Sequence, residues 1–270
     1  MDHMPTHYTI ETRSLSKSFA ATRALDRLSL QVPAACIFGL LGPNGAGKST
    51  AIKILTTLLP ATSGSASVAG FDVAGQPVEV RKRIGYVPQM LSADGALTAT
   101  ENLTLSASLY GLRGAACAAR IQEAVRFAGL EPVAGHLVKT YSGGMIRSLE
   151  VAQATLHRPE VLFLDEPTIG LDPVARRSVW ERLLELKSGS GMTILLTTHD
   201  MEEADYLCDQ LAILHQGQLA VVGTPQVLKN QVGPDASLSD VFVAYSGVEL
   251  EPGGHYREVR ETRGTARRLG

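Results

Sequence analysis

The chain has 270 residues, 44% of them hydrophobic, which is enough to bury a full core in one large domain or in one domain with an insertion. A formal net charge of −2 gives no reason to expect nucleic acid or an anionic membrane surface as the main partner. The three cysteines, Cys36, Cys117 and Cys208, are too far apart in the sequence to suggest a metal site, and they suit a reducing compartment. Because no stretch approaches the roughly 18 uninterrupted apolar residues of a membrane span, a role at a membrane would require a separate spanning protein.

The N-terminal part of the chain carries short stretches that alternate in the manner of β-strands. They cover residues 8–11, 28–32 and 66–70, and residues 19–26 are predicted to link the first two. We expect these strands to form a small antiparallel sheet beside the main core of the protein.

A glycine-rich loop at residues 42–50 is the most informative stretch of the chain. It satisfies the pattern G-x-x-x-x-G-K-[ST] and lies between the apolar residues 37–41 and a helical pattern at 51–58. Such a loop wraps an anion in backbone N–H groups at a helix N-terminus, while Lys48 adds a charge and Ser49 a hydroxyl for Mg²⁺. A turn that binds nothing is the alternative, but these residue types rarely fall in this order between a strand and a helix. The loop predicts that the chain binds a nucleoside triphosphate through Gly42, Pro43, Asn44, Gly45, Ala46, Gly47, Lys48, Ser49 and Thr50.

Two residues outside the loop stand where they could contact a bound nucleotide. Phe19 lies about two dozen residues before the loop, and its flat side chain is explained equally well by stacking on a purine and by ordinary burial. Gln89 closely follows a strand pattern at residues 84–87, and open α/β sheets place ligands at the C-terminal ends of their strands.

Residues 93–139 change to helical patterning. Thr98 and Glu101 form a capping-box pattern, and residues 115–128 carry apolar positions at helical spacing with Gly129 behind them. The sequence therefore predicts an all-helical insertion at this point.

A second anion-binding pattern follows the insertion. Ser142, Gly143 and Gly144 precede a helical pattern at residues 146–157, and serine before two glycines suits a helix start that holds an anion. Taken alone, the stretch is better explained as an ordinary helix N-cap.

A continuous apolar run at residues 161–164 closes with Asp165 and Glu166. This pattern is typical of a strand buried on both faces in a parallel sheet, whose C-terminal end carries ligand groups. Asp165 is suited to Mg²⁺, and Glu166 to accepting a proton from an attacking water. The alternative is that the two carboxylates only solvate the end of the strand. The complete phosphate loop upstream makes this the weaker explanation.

The chain then returns to alternating helices and strands. Asp172 is predicted to cap a helix at residues 174–187, and a buried strand at 193–198 leads to His199. A lone histidine is usually structural, but its place at a strand end favours contact with the terminal phosphate. Further predicted elements are a helix capped by Asp200, strands at 210–215 and 219–222, a helix at 225–231, and a mobile charged tail from about residue 247.

Together these motifs closely resemble the ATP-binding subunit of ABC transporters over about residues 8–232. In the order of that family they resemble the Walker A loop at 42–50, the Q-loop glutamine Gln89, the signature at 142–144, the Walker B strand at 162–166, the D-loop at 170–172 and the switch histidine His199, with Phe19 as the adenine platform. Residues 140–145, 168–173 and 239–242 are most similar to the bacterial branch that includes daunorubicin-resistance-type exporters.

The chain departs from the family pattern in the signature helix. Ser148 and Gln153 stand where arginines are common, and Tyr141 replaces the commoner leucine. The first two departures would weaken the electrostatic contacts of this helix without changing its phosphate-binding start.

The resemblance implies an α/β fold with a P-loop NTPase core of the RecA type, a small antiparallel β subdomain and an inserted α-helical subdomain. The ATP-binding domain would span residues 8–232, with its helical subdomain at 93–150 and a C-terminal extension at 233–270. The implied reaction is ATP hydrolysis with Mg²⁺, in which positioning and charge neutralisation carry most of the catalysis. The catalytic residues would be Lys48, Gln89, Glu166 and His199, and the metal would be held by Ser49, Gln89 and Asp165. The nucleotide would be bound by Phe19, residues 42–50, Ser142, Gly143, Gly144 and Asp172.

The resemblance also implies the partners. Two copies, or this chain and a paralogue, would sandwich two ATP molecules and drive an integral-membrane permease from the cytoplasmic face of the cell membrane, with no nucleic acid involved. The expected cargo is drug-like, antibiotic, lipid or polysaccharide compounds.

Two other functions compete with this one. A soluble ABC ATPase that moves no solute, such as an assembly scaffold or a repair factor, stays open on fold analogy, although no cysteine or basic cluster serves iron or DNA. A small-molecule kinase would leave residues 142–144 without a role.

Overall fold

The computed structural model describes residues 8–246, together with the backbone of 248–250 and 256–258. Its main sheet has six strands in the order β10-β9-β3-β8-β7-β6, parallel except for β10, which runs antiparallel to β9. Every residue of the central strands β3, β7 and β8 is buried, which explains why their sequences are mainly apolar. The strands are β3 (Ile37–Leu41), β6 (Ile84–Val87), β7 (Val161–Asp165), β8 (Thr193–Thr198), β9 (Gln210–His215) and β10 (Gln218–Gly223).

Helices cover both faces of this sheet. One face packs Phe38 and Phe163 against Ile52 of α1 (Lys48–Leu55) and against the apolar side of the smaller sheet. The other face packs Leu162 and Ile194 against α6, α7, α8 and α9. These four helices are α6 (Pro173–Ser190), α7 (Met201–Leu207), α8 (Pro225–Val232) and α9 (Leu238–Ser246).

The smaller sheet is antiparallel in the order β2-β1-β4-β5, as predicted, but its first hairpin is longer than the pattern indicated. The strands are β1 (Tyr8–Phe19), β2 (Thr22–Pro33), β4 (Ser63–Val68) and β5 (Phe71–Asp72). The predicted linker at residues 19–26 is wrong, because Phe19 pairs with Thr22 and the turn between them is two residues long. Register shifts within β1 and β2 interrupt the alternation of buried and exposed residues, so the pattern in the sequence stops short of the strand ends.

A short helix that was not predicted, α2 (Pro77–Arg83), leads into β6. The segment after β6 then builds a helical layer from α3 (Ala99–Leu109), α4 (Gly114–Ala128) and α5 (Gly143–Thr155), with 3-10 turns at Glu131–Val133 and Val138–Thr140. The layer has its own apolar cluster, including Leu103, Val125 and Leu149. The predicted capping box is confirmed, since the Thr98 hydroxyl accepts from the Glu101 N–H and the Glu101 carboxylate accepts from the Thr98 N–H.

The C-terminal part contains a helix that the sequence analysis did not predict. In α9, Val241 and Phe242 are fully buried against the main sheet. Its start is capped by Ser237, whose hydroxyl accepts from the Asp240 N–H while the Asp240 carboxylate accepts from the Ser237 N–H. Beyond it, β11 (Val248–Leu250) pairs antiparallel with β12 (Tyr256–Glu258). The rest of the predicted mobile tail, residues 247, 251–255 and 259–270, lies outside the described residues.

None of the helices among the described residues combines the length and the apolar character that a bilayer-spanning segment needs.

Candidate nucleotide-binding site

The glycine-rich loop connects β3 to α1 at the C-terminal end of the parallel strands. Gly47 has a φ of 103°, and a Cβ at this position would lie 2.4 Å from the backbone oxygen of Ala24. The turn therefore requires glycine both for its conformation and for its close approach to the β1–β2 hairpin. Because α1 begins at Lys48, the free N–H groups of its first turn face the loop, as an anion-binding site needs.

Lys48 holds a positive charge inside this loop. Its side chain is 5% exposed, and Nζ donates to the backbone oxygens of Gly42 at 2.7 Å and Pro43 at 3.2 Å. The same Nζ lies 3.4 Å from Oε1 of Glu166. Burial lowers the pKa of Lys48, and the charge of Glu166 opposes that shift.

Asp165 collects two hydroxyl groups at the end of β7. Its Oδ1 accepts from Ser49 Oγ at 3.0 Å and from Thr197 Oγ1 at 2.6 Å, because Asp165 and Thr197 are register partners in β7 and β8. Carboxylate and hydroxyl oxygens are the ligands that Mg²⁺ prefers. In the part of the chain that the structure describes, no three acidic, histidine or cysteine side chains cluster to hold a metal. The oxygens of Asp165 and Ser49 fit an Mg²⁺ ion that also takes oxygens from a bound triphosphate.

Glu166 lies between two basic side chains. Its Oε2 is 2.5 Å from Nδ1 of His199 and its Oε1 faces Lys48, while the carboxylate is 7% exposed. Glu166 has a φ of 51°, and Thr197 holds it there by accepting from its N–H through both the backbone oxygen and the hydroxyl. Burial alone would raise the pKa of Glu166, but the bond from His199 and the charge of Lys48 outweigh it and leave this pKa lowered. The bond to Glu166 raises the pKa of His199.

The residues that resemble the signature and the D-loop form a second group. Ser142 is exposed and caps α5 by accepting from the Met145 N–H, and Asp172 caps α6 by accepting from the N–H groups of Val174 and Ala175. A Cβ on Gly144 would lie 2.5 Å from Cβ of Ala175, so α5 and α6 can approach this closely only with glycine there. Through this packing the structure places the signature start beside the D-loop.

Gln89 and Phe19 are both exposed. The backbone oxygen of Gln89 accepts from Nη2 of Arg147 at 2.8 Å, and its side chain is open to solvent. Phe19 ends β1 with 46% of its surface exposed, and Nζ of Lys17 lies 5.0 Å from its ring centre. Exposure argues against ordinary burial as the explanation for Phe19.

Sequence reasoning missed four polar residues around these groups. Thr197 is fully buried, and its hydroxyl donates to Asp165 and accepts from the Glu166 N–H. Glu203 is 1% exposed and accepts from Thr168 Oγ1 at 2.7 Å and Trp180 Nε1 at 3.0 Å, which ties α7 to the segment after Glu166. Arg147 and Glu150, also missed, are buried on α5.

Two of the three departures from the family pattern, Ser148 and Gln153, form hydrogen bonds to other helices. Ser148 Oγ accepts from Arg182 Nε at 3.3 Å, and Gln153 Nε2 donates to Ser106 Oγ at 3.0 Å. The i, i+3 spacing of Arg147 and Glu150 in a helical pattern indicates that the two side chains can pair, but it does not indicate that the pair is buried.

Comparison with known proteins assigns the family. A sequence profile of the family described as ABC transporter matches residues 25–169. The daunorubicin/doxorubicin resistance ATP-binding protein DrrA of Streptomyces peucetius is 43% identical over 93% of this chain and 76% of its own length. The Nod factor export ATP-binding protein I of Cupriavidus metallidurans is 40% identical over 90% of this chain and 78% of its own.

Solved structures agree with the sequence relatives. The structure of an ATP-binding subunit of an ABC transporter superposes with a TM-score of 0.78 at 33% identity, covering 88% of this chain and 99% of that one. The dimeric structure of the bacterial ABC transporter cassette MJ0796 gives 0.72 at 25% identity, covering 80% and 98%. These findings confirm the expected fold class and the resemblance to daunorubicin-resistance proteins, and they argue against an ABC ATPase that moves no solute. The chain belongs to the ABC transporter family, as an ATP-binding and ATP-hydrolysing subunit.

Proposed function

We propose that this chain powers an exporter by hydrolysing ATP at a site in which Glu166 is the proton acceptor. The observation that carries the proposal is the position of the Glu166 carboxylate, which lies between Lys48 and His199 beside the phosphate loop. Its lowered pKa keeps it ionised at neutral pH, as a proton acceptor must be.

The phosphate loop would bind the triphosphate. Residues 42–50 offer N–H groups at the start of α1, and Lys48 would exchange its contacts with Gly42 and Pro43 for phosphate oxygens. Phe19 would stack on the adenine, since its exposed ring stands at the end of the hairpin that Gly47 contacts.

Ser49, Asp165 and Gln89 would hold Mg²⁺, which when bound neutralises charge on the phosphates. The contact between Ser49 and Asp165 supports the first two assignments. Gln89 follows the neighbouring strand β6, which pairs with β7.

Glu166 would take a proton from the attacking water while the water oxygen bonds to the γ-phosphorus. The bond between that phosphorus and the leaving oxygen breaks, releasing ADP and inorganic phosphate. His199, held by Glu166, would contact the terminal phosphate with a proton that its raised pKa favours.

Each complete site would be shared between two chains, in a homodimer or in a pair with a paralogue. Ser142 and Gly143 are exposed at the start of α5, where N–H groups can approach a γ-phosphate on the partner, and Asp172 is exposed beside them. Val174, which is 80% exposed in the first turn of α6, is an apolar surface that such an interface would cover.

The proposed cargo follows from the relatives, which include proteins named for daunorubicin resistance and Nod factor export. The chain would move drug-like, antibiotic, lipid or polysaccharide compounds by driving a separate permease from the cytoplasmic face of the membrane. The domain bounds that go with this function are residues 8–232 for the ATP-binding domain, 93–150 for its helical subdomain and 233–270 for the extension.

The permease would dock on the insertion at residues 93–139. The exposed apolar side chains of Leu105, Leu109 and Tyr110 on and after α3 support this assignment. The test is export of a fluorescent drug by cells that contain the chain and its membrane partner. Leu109→Asp should lose export and co-purification with the permease while keeping basal ATP hydrolysis.

Val78→Asp is the matched control, because Val78 is 54% exposed on α2, outside the insertion. It should leave export intact. Normal export with Leu109→Asp would contradict docking at this face, and loss of hydrolysis together with export would indicate a folding defect instead.

A further inference from the structure

The segment from Pro88 to Ala93, called here the Q segment, is held by two side chains of α5. Arg147 donates from Nη1 to the backbone oxygen of Pro88 at 2.7 Å and from Nη2 to that of Gln89 at 2.8 Å. Glu150 receives the other end of the segment through Oε1, which accepts from the Ser92 N–H, from Ser92 Oγ at 3.1 Å and from the Ala93 N–H at 3.2 Å.

Arg147 and Glu150 also bind each other, and both are 2% exposed. Nη1 of Arg147 lies 3.0 Å from Oε2 of Glu150. A buried charge is costly unless it is paired and hydrogen-bonded, and here the bonds that satisfy the pair come largely from the backbone of the Q segment. Moving the segment away from α5 would therefore leave two buried charges poorly satisfied.

Side-chain packing does little to hold the middle of the Q segment. Met90 is 82% exposed and Leu91 is 48% exposed. Since the centre of the segment is open to solvent, the bonds to Arg147 and Glu150 at its two ends decide where its backbone lies.

The same helix begins at the signature. Ser142 caps α5, and Arg147 lies five residues further along the helix, a rise of about 7 Å. An α-helix of 13 residues moves as a stiff unit over this distance, so a shift of the Q segment would carry the start of α5 with it. α5 also contacts α6, through the close packing of Gly144 on Ala175 and through the hydrogen bond of 3.3 Å from Arg182 to Ser148, and these residues lie outside the Q segment.

We infer that Arg147 and Glu150 are positioning residues that couple the nucleotide contact of Gln89 to the placement of Ser142. The inference rests on the proposed roles of Gln89 and Ser142 in ATP hydrolysis. It assigns the coupling to a direct side-chain clamp between the Q segment and α5, in addition to the covalent path through residues 94–141.

Hydrogen exchange at the first turn of α5 tests the clamp. In the wild-type chain, a non-hydrolysable ATP analogue should change exchange at residues 143–147 in a way that ADP does not. In Arg147→Met, which keeps the length of the side chain but removes its donors, exchange should no longer distinguish the two nucleotides. ATP affinity should stay close to that of the wild type while kcat falls by about 10²-fold, because the catalytic groups are misplaced rather than removed.

Arg182→Met is the matched control, since Arg182 also contacts α5 but makes no described bond to the Q segment. It should keep the difference between the ATP analogue and ADP. Arg147→Lys tests whether the charge alone is enough. Lysine keeps the charge but cannot bond Pro88, Gln89 and Glu150 simultaneously, so this variant should lose the difference between the two nucleotides as Arg147→Met does.

The outcomes separate the clamp from the function on which it rests. Wild-type exchange that does not distinguish the nucleotides would overturn the proposed roles of Gln89 and Ser142, and this inference with them. A normal wild-type difference that persists in Arg147→Met would overturn the clamp alone. ATP should raise the Tm of Arg147→Met if this variant folds and binds the nucleotide. If it does not, Arg147→Lys takes its place, and the inference is judged by the exchange difference at residues 143–147 and by kcat in that variant.

Discussion

Glu166 and His199, 33 positions apart in the chain, meet side chain to side chain with 2.5 Å between Oε2 and Nδ1. The pairing follows from the sheet, because β7 and β8 are parallel neighbours and each residue comes just after its strand. The contact shifts both groups toward their charged forms, with the pKa of His199 raised from 6.5 and that of Glu166 lowered from 4.5. The pair therefore gives this site a pH dependence of its own.

The stabilisation from this pair should be greatest in mildly acidic solution. The contribution of His199 to the free energy of unfolding is complete below pH 6.5 and is lost as the pH rises through its raised pKa. The contribution of Glu166 is present above pH 4.5 and is lost as the pH falls through its lowered pKa. The difference in Tm between the wild type and His199→Ala should be largest between those values and shrink at higher pH. A difference that grows with alkaline pH would contradict the ion pair, and an NMR titration in Glu166→Gln should show the pKa of His199 returning toward 6.5.

Glu166→Gln should keep nucleotide binding and lose turnover. The amide preserves the shape of the side chain but cannot accept the proton, so kcat should fall by about 10²- to 10⁴-fold. Steady-state phosphate release and equilibrium ATP binding measure the two effects separately. Glu185→Gln, on the far part of α6, is a control that should hydrolyse normally. Near-normal hydrolysis in Glu166→Gln would remove this residue from the proposed mechanism.

Lys48→Ala should fail at the binding step. The change removes a buried charge whose bonds to phosphate oxygens are each worth roughly 1.5–3 kcal/mol, so ATP affinity should drop by about 10- to 100-fold or more. Titration with a fluorescent ATP analogue provides the measurement. Lys53→Ala, exposed on the same helix, should bind as the wild type does. Unchanged affinity in Lys48→Ala would show that the loop does not use this charge.

Two inactive variants should recover activity when mixed. Ser142→Arg blocks closure by its bulk and leaves the phosphate loop usable, whereas Glu166→Gln disables the chemistry and leaves the signature usable. A mixed dimer of the two holds one site with both an intact Glu166 and an intact Ser142, so partial ATPase activity is expected. Subunit exchange is verified with two affinity tags. If the subunits exchange but ATPase activity does not recover, the result would argue against a shared site in which Glu166 of one chain and Ser142 of the other are enough for hydrolysis.

Local patterns in the sequence determined much of the fold and of the site. The phosphate loop, the capping box at Thr98 and Glu101, and the buried strand that ends in Asp165 are each encoded within a few neighbouring residues. Their signals are periodicity, capping and the backbone freedom of glycine, which act over one turn or one strand. For this reason the sequence alone supported a nucleotide-binding α/β fold with a helical insertion.

Long-range packing decided the remainder. The alternation in β1 and β2 is broken by register shifts, so the full hairpin became visible only once both strands were paired. α9 was missed because nine residues carry little periodicity, although the pair Ser237 and Asp240 offered a capping signal.

The contacts of the site are equally a product of tertiary structure. Ser49 reaches Asp165 across 116 positions, and Arg147 reaches Gln89 across 58. In the sequence, Arg147 and Glu150 are indistinguishable from a solvent-exposed i, i+3 pair. Whether such a pair is buried depends on which backbone groups the fold brings against it. These groups belong to distant parts of the chain, so the two residues alone cannot indicate it.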